Sequence, residues 1–579
     1  MPNGKYTLRK KNEERNEDLD KTYGTLIADI LIARGVYDTA LAQKHLHDKL
    51  GDAHDDPLKL GEMGKALERI NKAIKNNEHI TIHADYDCDG IPGAVILTSL
   101  FKEIGFTNYT VSIPNRNIEG YGLNIEHVKK FVVTNTKLII TIDLGITGFE
   151  AIEYANNLGM ETIITDHHTI PERIPPAYAI VHPKIFNSTY ENKELCGAGV
   201  VYTLVRGFIN KYKQEYNIPD NFIDSVVDMA AFATLSDMVE LTPENKAIIK
   251  EGLNKIRQGS RPGLLALAKS ARVYLRDLTQ DDLTFMLAPK LNVASRMGNP
   301  HDAYNLLMEK DFAKASILSE ALTNLSNERR KIVALMVKEA RRDIAKFDKD
   351  QKDVIIIGHP AWKVGLLGLV ASKIVEIYGK PTFVWGRTED EDNIVYKGSC
   401  RGNNTVNVYE IMASSPTDTF LEFGGHFEAG GFSVSQEKIY DLENNLIKGY
   451  EKVGEDINNI TESVAYIDAV LPVSLLHPRL HSSIFKLAPF GSGFTEPVFV
   501  FKNTEIVDIR NFGTGNAHIE ITFKDTNGLT ASAYAFYTKG VDLGNPIVGN
   551  TVHIVGTLDA KLWQGTVRVR LKDIIISGI

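Results

Sequence analysis

Cysteine is scarce in this chain: only Cys88, Cys196 and Cys400 occur in 579 residues, far apart and odd in number. That excludes a disulfide framework and a cysteine zinc cluster, and it fits a reducing compartment. Long apolar runs are also missing, and none approaches the ~20 residues needed to span a bilayer. The stretch Met1–Lys21 is charged and lacks the apolar core of a signal peptide, so it gives no reason to expect export. Positive charge is not in excess either, with 65 Lys and Arg against 74 Asp and Glu and a formal net charge of −9. This is unusual for a nucleic-acid binder. Acidic metal ligands would contribute to the figure, however, and bound divalent cations would reverse it locally. A basic groove on an acidic molecule stays open, because the distribution of charge matters more than its sum. No internal repeat or low-complexity tract is present.

What is there reads as an ordinary globular protein, 43% hydrophobic and 24% charged. Its length exceeds the size at which one core stops growing, so several domains are expected. Residues 1–20 are polar and charge-dense and read as a frayed tail, followed by a helical region to about residue 78. From Ile80 short apolar runs alternate with helical stretches, at 80–84, 109–113, 137–142, 161–165 and 179–181. This is the pattern of a mainly parallel sheet covered by helices. Asp311–Phe347 contains no Gly or Pro and is rich in Ala, Leu, Glu, Lys and Arg, which predicts a long connecting helix. A second α/β unit starts near Asp353 and includes the glycine-dense turn Gly424–Gly431. After about Val453, short alternating runs at 497–501, 518–523, 531–536, 551–558 and 566–571 predict a small β-barrel. The expected division is a tail and helical region 1–54, a parallel-sheet domain 55–310, a connecting helix 311–348, a second α/β domain 349–455 and a barrel 456–579.

Chemistry concentrates where the apolar runs stop. His83-Ala-Asp85-Tyr-Asp87-Cys-Asp89-Gly90 follows the first run, Asp143 the third, Asp166-His167-His168 the fourth, and Asp237 closes Leu235-Ser-Asp-Met238. In an open α/β sheet the carboxyl ends of the strands face one crevice. A single Asp-rich loop is often only a solvated turn. Four clusters at the ends of buried runs are different, because buried carboxylates pair with cations or bind metals. Carboxylates with few imidazoles suit Mn²⁺ or Mg²⁺ and not thiolate-rich zinc. There are too many candidates for one ion. Two ions ~3.5–4 Å apart, sharing a carboxylate, would use them and serve in-line phosphoryl displacement.

These four clusters resemble the motifs of the DHH phosphoesterase superfamily. Within it, Ile113-Pro-Asn-Arg116 with Gly120-Tyr-Gly122, Leu291–Arg296, Gly398-Ser-Cys-Arg401, Gly424-Gly-His426, Pro489-Phe-Gly491 and Glu496-Pro-Val-Phe499 are similar to the RecJ family of single-strand-specific 5′→3′ exonucleases. The similarity runs from about residue 55 to the C-terminus. It implies a DHH parallel-sheet domain joined by a long helix to a DHH-associated α/β domain, followed by an oligonucleotide-binding (OB-type) barrel. It also implies one divalent cation on His83, Asp87 and Asp143 and another on Asp89, Asp143, His167 and Asp237. His168 would contact the phosphate or support the metal shell, and Asp85 and Asp166, beside ligands, would brace the loop. Substrate phosphates, including the terminal 5′ phosphate, would lie on Arg116, Asn292, Arg296, Ser399, Arg401, Gly425 and His426. In the barrel, Phe512, Lys561, Trp563, Arg568 and Arg570 could track a single strand, although an aromatic is more often core.

The chain departs from the family pattern at Lys363, Phe494, Gly430, Val293 and Ser295, none of them a metal ligand. The implied function is recombination and repair in the cytoplasm of a bacterium or of a phage's host, by a monomer aided by a single-strand-binding protein and a helicase. Hydrolysis of short oligonucleotides or cyclic dinucleotides is the alternative activity. A non-catalytic replication scaffold would require lost ligands, yet all the motif positions are filled.

Overall fold

The computed structural model describes residues 6–9, 17–46, 51, 53–116, 119, 122–388, 394–454, 465–513, 515–536, 543, 546–561 and 566–576. The N-terminal stretch, expected to fray, carries a strand, β1 (Tyr6–Leu8). Five parallel strands then build the first sheet: β2 (Ile80–Ala84), β3 (Tyr109–Ser112), β4 (Leu138–Ile142), β5 (Glu161–Thr165) and β6 (Ala179–Val181), in the order β3-β2-β4-β5-β6. They fall on the expected apolar runs. Their continuous apolar character follows from burial on both faces. Along β4, Ile140 and Ile142 enter the main core, while Ile139 enters a smaller one with Val128, Phe131 and Ile152. The helix Gly90–Glu103 starts shortly after β2, and the helix Gly197–Tyr216 starts against Asp143, the residue after β4, so both N-termini lie at the carboxyl edge of the sheet.

A 35-residue helix, Phe312–Lys346, joins this domain to the next lobe. The Asp311 side chain caps it by accepting from the Lys314 N–H at 2.9 Å. Ala315 and Leu322 pack into the first core, whereas Met336, Ala340 and Ile344 belong to the second lobe. One rigid rod therefore sets the spacing of the two. The second lobe holds β7 (Ile355–Gly358), β8 (Thr382–Arg387), β9 (Val395–Arg401), β10 (Glu422–Gly425) and β11 (Ala429–Ser435), in the order β10-β11-β9-β8-β7. Only the β7–β8 pair is parallel.

β12 (Ala465–Ile467) pairs in parallel with β1, so the charged N-terminal segment is tied down by a ladder. Next come β13 (Ala469–Val470), β14 (Phe499–Phe512), β15 (His518–Lys524), β16 (Thr530–Ala535), β17 (Thr551–Lys561) and β18 (Thr566–Ile576). Because β14 pairs with both β15 and β17, the path β14-β15-β16-β18-β17 closes into a barrel. The run expected at 497–501 is the start of a 14-residue strand. Lys502-Asn503 mimics a turn in sequence, yet Asn503 adopts φ 52° at a register shift between Phe501 and Thr504, and the strand bends and continues.

The barrel is fastened through Asp468. Its Oδ1 accepts from Arg34 Nη1 at 2.7 Å and lies 3.3 Å from Arg9 Nε, while Oδ2 accepts from the Val498 N–H at 2.8 Å. Both the Asp468 and Arg34 side chains are buried. Asp468→Ala should therefore cost roughly 3–5 kcal/mol, because it leaves a buried guanidinium without its counter-charge. The measurement is the denaturant midpoint of the barrel, followed by Tyr and Phe exposure. A shift no larger than that of a surface Asp→Ala control would show that the pair does not hold the barrel in place.

Candidate metal centre and phosphate clamp

The turn after β2 is shaped by its own carboxylates. Asp87 Oδ1 accepts from the N–H groups of Asp89 (2.8 Å) and Gly90 (3.1 Å), which caps the helix that begins at Gly90. Asp89 then reaches across to a second helix start. Its two oxygens accept from the Gly197 N–H at 2.6 Å and the Ala198 N–H at 2.7 Å. Asp143 ends β4 with φ 61°, a left-handed conformation that a non-glycine residue adopts at a cost, and Met238, after Asp237, does the same at φ 59°. These bends turn the side chains inward.

Three sets of ligand atoms converge, each within 4.8 Å of one another: Asp85, Asp87 and Asp143; Asp89, His167 and Asp237; and Asp143, His167 and His168. His167 Nε2 stands 3.1 Å from Asp143 Oδ1, 3.6 Å from Asp89 Oδ2 and 3.7 Å from Asp237 Oδ2. His83 joins none of the three sets. Its Nδ1 faces Ser112 Oγ at 3.1 Å, and its buried ring packs on His127 and Phe131. Asp166 lies behind the cluster. Its Oδ1 accepts from the N–H groups of His167 and His168 and from His168 Nδ1, and its Oδ2 accepts from the Ile146 N–H.

The electrostatics separate the acids into two groups. Burial, and then mutual repulsion, raises Asp89 and Asp237 to about 6 and lifts Asp85 and Asp143 well above the usual range. Asp166 is equally buried, but its hydrogen bonds to His168 and to backbone amides outweigh burial and hold it at about 2. In turn Asp166 raises His168 to about 9 despite burial, so this imidazole is a cation at neutral pH. Asp143 Oδ1, Asp85 Oδ1, His83 Nε2 and His167 Nε2 are buried without a hydrogen-bond partner. Orphaned acceptors facing crowded carboxylates are what a divalent-cation site leaves when read without its ions, and a hard oxygen-rich donor set fits Mn²⁺ or Mg²⁺.

Beside this crevice lies a cluster of guanidinium groups. Arg296 is lowered to about 10, first by burial and then by Arg116, Arg329 and Arg401 around it. Arg401, at the end of β9, donates to Ser399 Oγ at 3.2 Å and to its neighbour's carbonyl, Cys400 O, at 2.7 Å. Arg116 lies over the Tyr86 ring at 5.4 Å. Ser399 and Arg401 sit against Gly368, at the start of the helix Leu367–Tyr378. Asn292 keeps a buried, unpartnered Oδ1. Gly425 has φ 149°, and a Cβ there would lie 2.4 Å from Ala429 O, so the β10–β11 turn requires glycine. His426 is exposed on that turn.

In the barrel, Arg570 is bound to Asp281 at 3.1 Å, and Arg568 lies 4.4 Å over the Tyr534 ring. Phe512 ends β14, in ring contact with His518 and Phe536. Trp563 lies outside the described residues, as does the side chain of Lys561. The sequence reading missed Gly197 and Ala198, whose amides hold Asp89. A Cβ on Gly197 would lie 2.5 Å from that of Asp143. The signal available was Gly197-Ala-Gly199 at the start of a long apolar helix.

Three family models match: the DHH family N-terminal domain over residues 79–234, the DHHA1 domain over 351–452 and the RecJ OB domain over 467–573. The chain is 31% identical over 559 residues to the single-stranded-DNA-specific exonuclease RecJ of Bacillus subtilis, which covers 95% of this chain and 68% of that protein. A solved exonuclease RecJ bound to manganese aligns with TM-score 0.58 and 28% identity, over 70% of this chain and 97% of that one. RecJ of Thermus thermophilus in complex with Mn²⁺ shares the fold at TM-score 0.79 and 24% identity, over 97% of this chain and 78% of that one.

Two outcomes follow for the metal-free protein. Carboxyls raised in the folded state contribute stability that is complete below about pH 4 and lost as pH rises through about 6. Cations replace those protons. Added Mn²⁺ should therefore raise the melting temperature more at pH 7.5 than at pH 5, as read by scanning fluorimetry against EDTA. Equal increments at both pH values would mean that these acids do not bind the ion. Gly197→Ala should abolish most of the Mn²⁺ increment while the far-ultraviolet circular dichroism stays unchanged, because the added methyl displaces Asp143.

Proposed function

The chain belongs to the RecJ family of single-stranded-DNA-specific exonucleases, and on that footing we propose that it degrades single-stranded DNA 5′→3′ to 5′-mononucleotides in recombination and repair. The observation that carries the reading is the convergence of Asp85, Asp87, Asp89, Asp143, His167 and Asp237 in one crevice beside a buried guanidinium cluster. A metal centre hydrolyses phosphate esters in general. The arginines restrict it to a strand end.

The first cation is assigned to Asp85, Asp87 and Asp143, and the second to Asp89, His167 and Asp237, with Asp143 close to both sets. His83 supports the first set from its flank. Bound divalent cations supply a water of lowered pKa as nucleophile and neutralise charge on the phosphate. The chain's own residues do the rest. His168, held cationic by Asp166 at the solvent-facing side of the acids, faces the developing negative charge on the scissile phosphate as a fixed donor. Asp89 keeps its orientation through two helix amides whose partial positive charge suits a carboxylate. Arg116, Arg296 and Arg401, with Ser399, hold the terminal 5′ phosphate through forked donors. Asn292 completes the lining on the first-domain side, and Gly425 and His426 complete it on the second-lobe side. In the barrel, the rings of Phe512, His518 and Phe536 and the Arg568–Tyr534 stack give bases a surface to lie on.

An enzyme confined to single strands needs them separated and kept open, so a helicase and a single-strand-binding protein are the proposed partners. A monomer in the cytoplasm is the proposed working form, and light scattering that gave a dimer mass would set the monomer aside.

With Mn²⁺ and 3′-labelled, 5′-phosphorylated single strands, the protein should shorten the label progressively and release mononucleotides, and duplex DNA should resist. Asp143→Ala should abolish this, because the first set loses a member and the second loses the carboxylate that stands 3.1 Å from its His167. Near-normal rates in that variant at saturating Mn²⁺ would refute the assignment. Arg401→Ala should shrink the preference for 5′-phosphate over 5′-hydroxyl ends by roughly 1.5–3 kcal/mol, the scale of a charged hydrogen bond. An intact preference would place end recognition elsewhere.

A further inference from the structure

The second cation set depends on two stretches of chain that no sheet ladder fixes. Asp89 takes its orientation from the amides of Gly197 and Ala198, which follow the loop 182–196. Asp237 stands at the end of the helix Val227–Ser236 and opens the loop that runs to Thr242. The members of the first set, Asp85, Asp87 and Asp143, follow closely on β2 and β4, whose ends the parallel ladder aligns.

One buried side chain joins the two loops. Asn245 Nδ2 donates to Glu194 O at 2.6 Å and to Glu240 O at 2.8 Å. Glu194 lies three residues before Gly197, and Glu240 lies three residues after Asp237. Asn245 Oδ1 accepts from Asn192 Nδ2 at 3.0 Å, and Asn192 Oδ1 accepts from the Glu194 N–H at 3.0 Å. Both side chains are buried. The mount is rigid as well, because Asn245 sits in the first turn of the helix Pro243–Arg257, where its own N–H donates to the capping Thr242 Oγ1 at 3.3 Å. Cys196 Sγ, 3.6 Å from Thr234 Oγ1, links the two helices themselves, whereas the amide links the loops beyond them.

The residue type follows from the task. A primary amide carries two N–H donors and an acceptor on one planar group. An ionised Asp of the same shape donates nothing, Ser donates once, and Gln would carry the fork one methylene too far. Burying amides costs desolvation that their hydrogen bonds only roughly offset, so stability alone is a weak reason for two of them side by side.

We propose that Asn245, steadied by Asn192, sets the separation of Asp89 and Asp237 and is thereby a positioning residue for the second cation. It touches neither carboxylate and acts through the backbone on which each depends. The proposal rests on the two-cation reading above and adds to it a residue outside the clusters that supply the ligands.

The test is a calorimetric Mn²⁺ titration of the full-length protein, read beside kcat and KM for a 5′-phosphorylated single strand. The wild-type protein should bind two Mn²⁺. Asn245→Leu, apolar and close in volume, should weaken one of them about tenfold, the low end of what partners behind metal ligands contribute, and leave the other unchanged. Its kcat should fall with KM unmoved, and excess Mn²⁺ should restore part of kcat. Asn192→Ala leaves both donors of Asn245 in place, so it should give a smaller loss in the same direction, and it decides the matter if Asn245→Leu fails to fold. The control is Asn71→Leu, which deletes a different buried amide, bonded to the Tyr216 hydroxyl from the helix Met63–Lys75. It should lower Tm and leave both Mn²⁺ affinities alone. Unchanged affinities in Asn245→Leu and Asn192→Ala would overturn the proposal by itself, and so would an equal loss at both sites, which marks a general loosening. A wild-type protein that bound no Mn²⁺ would bring down the two-cation reading and the proposal with it.

Discussion

Crowding of carboxylates in a nearly dry crevice is the constraint around which this molecule is arranged. Asp85, Asp89, Asp143 and Asp237 all sit above their ordinary range, because burial and mutual repulsion both oppose ionisation. A fold that only sought stability would replace such residues. Here it holds them in place at further expense, with two left-handed non-glycine bends at Asp143 and Met238. Divalent cations remove the conflict by supplying the charge that the acids lack. The neighbouring architecture follows from that need. Parallel strands end together, two helix N-termini face the acids, and Asp166 is satisfied by backbone amides so that it can orient His168 without joining the repulsion.

The same logic of opposed charge extends to the cleft between the lobes. Burial disfavours the charge of Arg296 and Arg401, and neighbouring guanidinium groups, Arg116 among them, oppose it further. Arg116 and Arg296 come from the first domain and Arg401 from the second lobe, so their grouping depends on how the lobes are spaced. The helix Phe312–Lys346 fixes that spacing, with separate apolar anchors in each core. Arg329, on that helix, adds its own field to Arg296. An anion between the lobes would relieve the repulsion, just as cations relieve that of the acids a few residues away. Opposite deficits of charge side by side match a phosphodiester whose one end is a phosphate and whose next linkage is cut.

Much of this was legible in sequence because burial on both faces leaves a plain mark. The strands of the first sheet fell on the apolar runs, and each acidic cluster sat just past a strand end or, for Asp237, at a helix end. Which acids converge was not legible. Spacing alone treats His83, Asp85, Asp87 and Asp89 alike, whereas His83, still inside β2, packs against Ser112 and His127, and the turn beyond it brings Asp85 to Asp87 and Asp143. Gly197 was overlooked for a related reason. Its part is to lack a side chain beside Asp143 and to offer an amide to Asp89, and the only mark this leaves is the Gly197-Ala-Gly199 run itself. β14 was cut short because Lys502-Asn503 has the composition of a turn while serving as a bulge.

Phe494 shows why a departure from a family pattern needs its surroundings before it is interpreted. Read in sequence, it is one of five departures, with no role attached. In the structure it is buried, with Lys246 Nζ 3.5 Å above its ring and Arg34 5.6 Å away. Lys246 also donates to Leu487 O at 2.8 Å, and burial lowers it to about 7. The surrounding loop is the joint between barrel and catalytic domain. Ser492 O accepts from the Leu241 N–H at 2.8 Å, and Gln280 exchanges two hydrogen bonds with the backbone of Phe490. Leu241 lies four residues after Asp237. The barrel is thus part of what holds the Asp237 segment in place, besides being the proposed surface for DNA. A chain ending after the second lobe would lose both together, so its defects could not be assigned to strand binding alone.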